Sequence, residues 1–214
     1  MATTLERLTP LREVQGKTGP NYCLGSSKFF IGKLAGLFDP GKKWNDFMLS
    51  PWARKNRGKI NLTAAWGLFR GAKDFNSKVL AAAISDPTAG VAAPGAPTGS
   101  DIEFYHTTDA NEGNMLLLAR VPLVIGVDCP GGSRRDHFIS ILRDSSAEVW
   151  VVDSWGEGND YAFAQLPADF TFQKPAKADL NVAEGLTTVP CKPAWIGFYR
   201  NKTTKSPLAI KLAI

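Results

Sequence analysis

The apolar positions change period across a Pro/Gly/Ala-rich stretch near the middle of the chain. After the breaker Gly19-Pro20, Leu24, Phe29, Phe30, Ile31, Leu34, Leu37 and Phe38 recur at helix-compatible offsets as far as Asp39-Pro40-Gly41, which predicts a helix there. Shorter helical patches are predicted at about 44–53, 62–69 and 75–84. Residues 86–100 carry no periodicity and predict an exposed loop. Beyond them, alternation takes over. Strands are predicted over Asp101 to His106, Pro122 to Val127, Phe138 to Leu142, Val149 to Val152, Trp195 to Tyr199 and Leu208 to Leu212, with one short helix from Asp109 to Arg120. Helices followed by antiparallel strands make an α+β layout, with a helical lobe at 1–85, the loop at 86–100 and a β-rich lobe at 101–214.

Composition narrows the class. With 214 residues and 44% hydrophobic content, the chain can bury one sizeable core and is short for two ordinary domains. Its longest apolar stretches, Met115 to Ala119 and Val121 to Val127, fall far short of a membrane span, so a soluble single domain with no transmembrane segment is expected. The N-terminal residues lack a charged head followed by an apolar run, so no cleaved secretory leader is expected. The chain would be made in the cytoplasm and exported by a dedicated machine. The net charge of +5 is uneven: residues 1–60 hold eleven Lys/Arg against four acids. A solvated basic face is the simpler reading, and attraction to an anionic polymer the functional one. No nucleic-acid motif with interleaved aromatics is present, so no nucleic-acid partner is expected.

Three cysteines and two histidines are too few for a disulfide framework or a structural zinc site, and no metal or organic cofactor is expected. One pair stands out. His137 opens a predicted strand and Asp153 closes the next, and their numbers centre the hairpin on residue 145, in the polar turn Asp144-Ser145-Ser146. In a regular antiparallel pair such residues face one another with Cβ atoms roughly 5 Å apart, provided no bulge shifts the register. The carboxylate would then orient the imidazole and stabilise its charged form. Cys23 begins the first helix, where free backbone N–H groups and the helix dipole favour a thiolate and suit an oxyanion. Cys23, His137 and Asp153 together would make a nucleophile, a base and an orienting acid for acyl transfer from an amide.

Other readings stand beside that one. Cys23 could be a small buried hydrophobe, Trp150 and Trp155 plain core aromatics, and Asp153 a cap for the turn that follows it. Cys129 is the rival nucleophile and His106 the rival base, while packing or loop roles suit Cys129 and Cys191 better; whether those two pair stays open. Gly16-Lys17-Thr18 ends like a phosphate loop, but Leu11 stands where the first glycine belongs. The sequons at Asn61 and Asn201 carry no meaning without a eukaryotic secretory route.

The early Cys at a helix start, the strand Asp136-His137-Phe138-Ile139-Ser140-Ile141 and the strand Val149-Trp150-Val151-Val152-Asp153-Ser154-Trp155-Gly156-Glu157-Gly158 resemble the papain-like cysteine peptidases. Asp153 stands where papain itself has Asn, as in bacterial relatives, and the Cys23 context lacks the Gly-Ser-Cys-Trp signature. The resemblance implies a fold of two lobes with the substrate amide between them. Trp155 would shield the His137–Asp153 hydrogen bond, and Gln15 or Asn21 would supply the oxyanion side chain. The compact form is similar to bacterial effectors: type VI secretion amidases that cut peptidoglycan peptides, or YopT/AvrPphB-type proteases acting on a host protein. A peptidoglycan peptide is therefore the first expected substrate, a host protein the second, and a cognate immunity or inhibitor protein a possible partner. A binding module that keeps the fold without chemistry is the reading from another class.

Overall fold

The structure, a computed structural model, describes residues 2–14, 23–41, 43, 102–128, 137–155, 162–173, 180–184 and 187–214. The helical patches expected between 44 and 84 and the loop at 86–100 lie outside the described residues. The protein has both helices and an antiparallel sheet and is of the α+β class. Among the described residues two α-helices precede the strands: α1, Thr4–Leu8, and α2, Cys23–Leu34. The strands are β1, Ile102–Thr107; β2, Leu123–Asp128; β3, His137–Arg143; β4, Val149–Val152; β5, Phe163–Leu166; β6, Leu180–Glu184; and β7, Thr187–Asn201. A further helix, α3, Ala110–Leu118, lies between β1 and β2. The strands hydrogen-bond in the order β1-β7-β2-β3-β4-β5, and β6 pairs with the start of β7.

Local chemistry accounts for the helix ends. Thr3 and Glu6 form a reciprocal capping box that starts α1. The Asp109 side chain accepts the Asn111 N–H at 3.0 Å and starts α3. The predicted first helix stops at Leu34, short of Asp39. Gly36 adopts φ +73°, Leu37 N–H reaches the Gly32 carbonyl at 2.8 Å, and Gly36 N–H reaches Lys33 at 3.0 Å, which ends α2 in a Schellman turn. That turn folds Phe38 back to stack on Phe29, ring centres 4.5 Å apart.

The sheet is covered on both faces, which explains the near-continuous apolar runs of β2 and β3. Val124, Phe138, Leu142, Val152 and Tyr199 pack against α2 residues Phe30, Ile31 and Leu34. Leu123, Ile125, Ile139, Ile141, Val151 and Ile196 pack against α3 residues Leu116 and Leu117. Helix α2 rests mainly on β3, and Ser27 Oγ donates to the Phe138 carbonyl at 3.2 Å. The start of α2 is thereby tied to the start of β3.

Three expectations need correction. The Leu208 to Leu212 segment is not a strand: Leu208 N–H goes to Tyr199, Ile210 N–H to Arg120 and Lys211 N–H to Leu34, so its donors serve three different elements. The Trp195 to Tyr199 strand is only the end of the fifteen-residue β7, which passes through Pro190 and Pro193; its register with β2 shifts beside Pro193, where a missing N–H costs the ladder least. The solvated basic face fails for three of its cations, because Arg12, Lys28 and Lys33 are all buried.

Gly32 gives a stability test. A Cβ at this position would collide with the ring of Phe38, which its stack on Phe29 holds in place. Alanine gains about 1 kcal/mol in helix propensity, but overpacking of this kind costs about 1–3 kcal/mol. The clash wins: Gly32→Ala should lower the urea midpoint, where propensity alone would raise it.

Candidate active site

The hairpin between β3 and β4 brings His137 and Asp153 together. Its observed register pairs Ser140 with Val152, Ile141 with Val151 and Arg143 with Val149, which centres it on residue 146 rather than 145. Ala147 adopts φ +66°, and Asp144 Oδ1 accepts the N–H groups of Ser146 and Glu148, so the turn holds one residue more than a two-residue connection. Continued past Val152, this register would set His137 opposite Trp155, two positions from Asp153, so the two do not face one another directly. The shift moves the pairing partner by two positions, which keeps both side chains on the same face of the pleat. Diagonal neighbours lie roughly 7–8 Å apart along the backbone, within reach of an imidazole and a carboxylate. His137 Nε2 and Asp153 Oδ1 are 2.9 Å apart, and both residues are buried.

Asp153 lies just beyond β4 and is held at several points. Its N–H donates to the Ala162 carbonyl at 2.8 Å. Its Oδ1 also accepts the Trp155 N–H at 2.8 Å, and its carbonyl accepts Arg12 Nε at 3.0 Å. The backbone of the Ser154–Trp155 turn thus fixes the carboxylate that faces the ring.

Cys23 is the first residue of α2, a free thiol and 8% exposed. Its sulfur lies close enough to His137 to help raise the pKa of the ring. With Nε2 turned to Asp153, the other ring nitrogen, Nδ1, is left for the sulfur. Burial disfavours the charged ring, but the Asp153 carboxylate and its hydrogen bond, with the Cys23 sulfur, outweigh it and raise His137 from 6.5 to about 10. At neutral pH the ring is an imidazolium that donates on both sides. A proton bound more tightly in the folded state stabilises that state. The contribution is full below the unfolded value of about 6.5 and disappears as pH rises through about 10. The stability difference between the wild type and His137→Gln, measured by urea unfolding, should therefore shrink as pH rises from 6.5 to 10.

The remaining expected residues fall into three groups. The Trp155 ring stands edge-on to His137, centres 6.4 Å apart and planes at 85°, and is 42% exposed, so it covers the imidazole from one side only. Gln15, Asn21 and Cys129 lie outside the described residues. His106 sits on β1, separated from β3 by β7 and β2, and takes no part in the cluster. Cys191, expected in a packing or loop role, is a buried strand residue held in a disulfide. Among the described residues no group of His, Cys, Asp and Glu could hold a metal ion.

Sequence reasoning did not single out Arg12 or Ser27. The Arg12–Asp153 bond spans 141 residues and the Ser27–Phe138 bond 111, separations for which no local pattern carries a signal. No protein-family model matches the chain, and no curated protein or solved structure is significantly similar to it.

Proposed function

We propose that the protein is a papain-like cysteine hydrolase that cuts amide bonds in bacterial cell-wall peptides. The single observation that carries this reading is the placement of His137 between the Asp153 carboxylate and the Cys23 sulfur. In the reaction, the Cys23 thiolate attacks the amide carbonyl carbon and forms a C–S bond. His137 gives its proton to the departing nitrogen as the C–N bond breaks. A water then loses its proton to neutral His137 and adds to the thioester, the C–S bond breaks, and the acid product leaves with the thiolate and imidazolium restored. Asp153 keeps the ring oriented through both halves. N–H groups at the start of α2 suit the oxyanion, since a helix leaves its first donors unpaired.

The disulfide at Cys191 bears on where this chemistry operates. Disulfides persist in oxidising compartments such as the bacterial periplasm and are rare in reducing cytosol. That favours a wall peptide over a protein of the host cytosol. Incubation with purified sacculi, followed by mass spectrometry of soluble fragments, tests the reading. Wild-type protein should release peptides with newly cut amide bonds and Cys23→Ala should release none. Intact sacculi beside a cleaved protein substrate would move the reading to an effector protease. A Cys23 that iodoacetamide alkylates no faster than an ordinary thiol would leave only a binding module.

A further inference from the structure

We propose that Arg12 is a positioning residue for the catalytic acid: it clamps the backbone of Asp153 so that the carboxylate meets His137 in register. The proposal rests on the reading of Cys23, His137 and Asp153 as one catalytic unit and extends it to a side chain 141 positions from the acid that it serves.

Asp153 lies past the pairing of β3 with β4, which ends at Val152. Its carbonyl points into the protein and receives Arg12 Nε at 3.0 Å, with both residues buried. A buried carbonyl that loses its donor carries the full cost of desolvation, and the peptide plane can turn to seek another. That plane carries the side chain whose Oδ1 must stay 2.9 Å from His137. The guanidinium also lies 5.9 Å from the ring centre of Phe163, the β5 residue opposite Val152, so it bridges the two strands that flank Asp153. Burial lowers the pKa of Arg12, and the charge of Asp153 opposes that effect.

Arg12 is itself braced. Its N–H reaches the Leu8 carbonyl at 3.0 Å. Lys43 Nζ donates to the carbonyls of Pro10 and Arg12 at 2.6 and 3.1 Å. Lys33, from the last turn of α2, donates to the Leu11 carbonyl and pairs with Glu13. Residues 10–13 form a strap pinned to the helix that carries Cys23, and from it Arg12 reaches across to the strand end that carries Asp153. One side chain thus couples the position of the acid to the helix of the nucleophile.

The test compares Arg12→Gln, which keeps a neutral donor, with Arg12→Lys, which keeps a charged one. The first readout is the downfield proton of His137 Nε2 by NMR, which reports the contact with Asp153 without any substrate. The second is the split between kcat and KM on the peptide found with sacculi. In Arg12→Gln the proton should shift upfield or broaden. Its kcat should fall roughly 10- to 100-fold, with KM changed less than about threefold. Arg12→Lys should lie between it and the wild type. A folded Arg12→Gln protein with an unchanged His137 proton and kcat within about threefold of wild type overturns the proposal. If Arg12→Gln does not fold, Arg12→Lys carries the test, and an unchanged proton and kcat there overturn it equally. A wild-type protein with the proton in place but no hydrolysis would sink the functional reading and leave the clamp standing.

Discussion

Cys23→Ala should abolish amide hydrolysis, with kcat/KM falling about 10⁴-fold or more, equivalent to about 5 kcal/mol of transition-state stabilisation. The loss follows from the order of events: without sulfur no C–S bond forms, and the imidazolium has no acyl intermediate to serve. His137→Ala should fall to a similar level, since in the proposed reaction the ring both activates the sulfur and delivers the proton. The double variant should be no slower than either single one, because groups that act as a unit lose their effect together. Asp153→Asn keeps an oxygen for Nε2 and loses the charge, so its loss should be smaller. Folding serves as the control. Cys23 is small and buried, and the alanine variant, although it loses the sulfur that helps hold the His137 proton, should still unfold in one cooperative urea transition. An alanine variant with wild-type turnover would show that sulfur plays no part in the chemistry.

The second large effect is on stability. Lys33 is 0% exposed and Glu13 3%, and the two pair directly while Lys33 also donates to the Leu11 carbonyl. Burial lowers the pKa of Lys33, with the charge of Glu13 opposing. Lys33→Met removes the charged partner of the buried Glu13 carboxylate and the donor to the Leu11 carbonyl, which should cost about 3–5 kcal/mol. The double variant Lys33→Met/Glu13→Leu removes both charges and should recover most of that loss, because a buried ion pair is often matched by apolar groups of similar volume. Urea unfolding of the four proteins in a double-mutant cycle gives the coupling directly. A single variant that costs less than about 1 kcal/mol would mean that water reaches the pair. The cycle also bears on the site, since this pair anchors the strap from which Arg12 holds Asp153.

The parts that short-range pattern encodes were legible. Strand β4 begins and ends where alternation and the polar turn place it, and α3 starts at the capping Asp109. The hairpin logic that singled out His137 and Asp153 found the right pair with its centre one residue off, because moving the centre by one residue moves each partner by two and preserves the parity of the pleat. Strand β5 was not visible: Phe163-Ala164-Gln165-Leu166 is too short and mixed to signal itself, and its backbone pairing with β4 supplies what the pattern lacks. Charge misled for the same reason. Arg12, Lys28 and Lys33 look like surface residues in a one-dimensional list, and only their partners and surroundings in space make burial tolerable.

By itself the sequence determined the α+β class, the helix start at Cys23, the strand that His137 opens and the strand that Asp153 follows, and the types of chemistry those three residue types can do. Periodicity, capping and turn preference act over a few residues, so they are written locally. Tertiary structure alone decided that the sulfur comes near the ring, that the acid hydrogen-bonds to it, and that an arginine near the N-terminus donates to the acid's carbonyl. Contacts between residues more than a hundred positions apart depend on how layers pack and on which buried polar groups must find a partner, and no stretch of sequence carries that information in its own spacing.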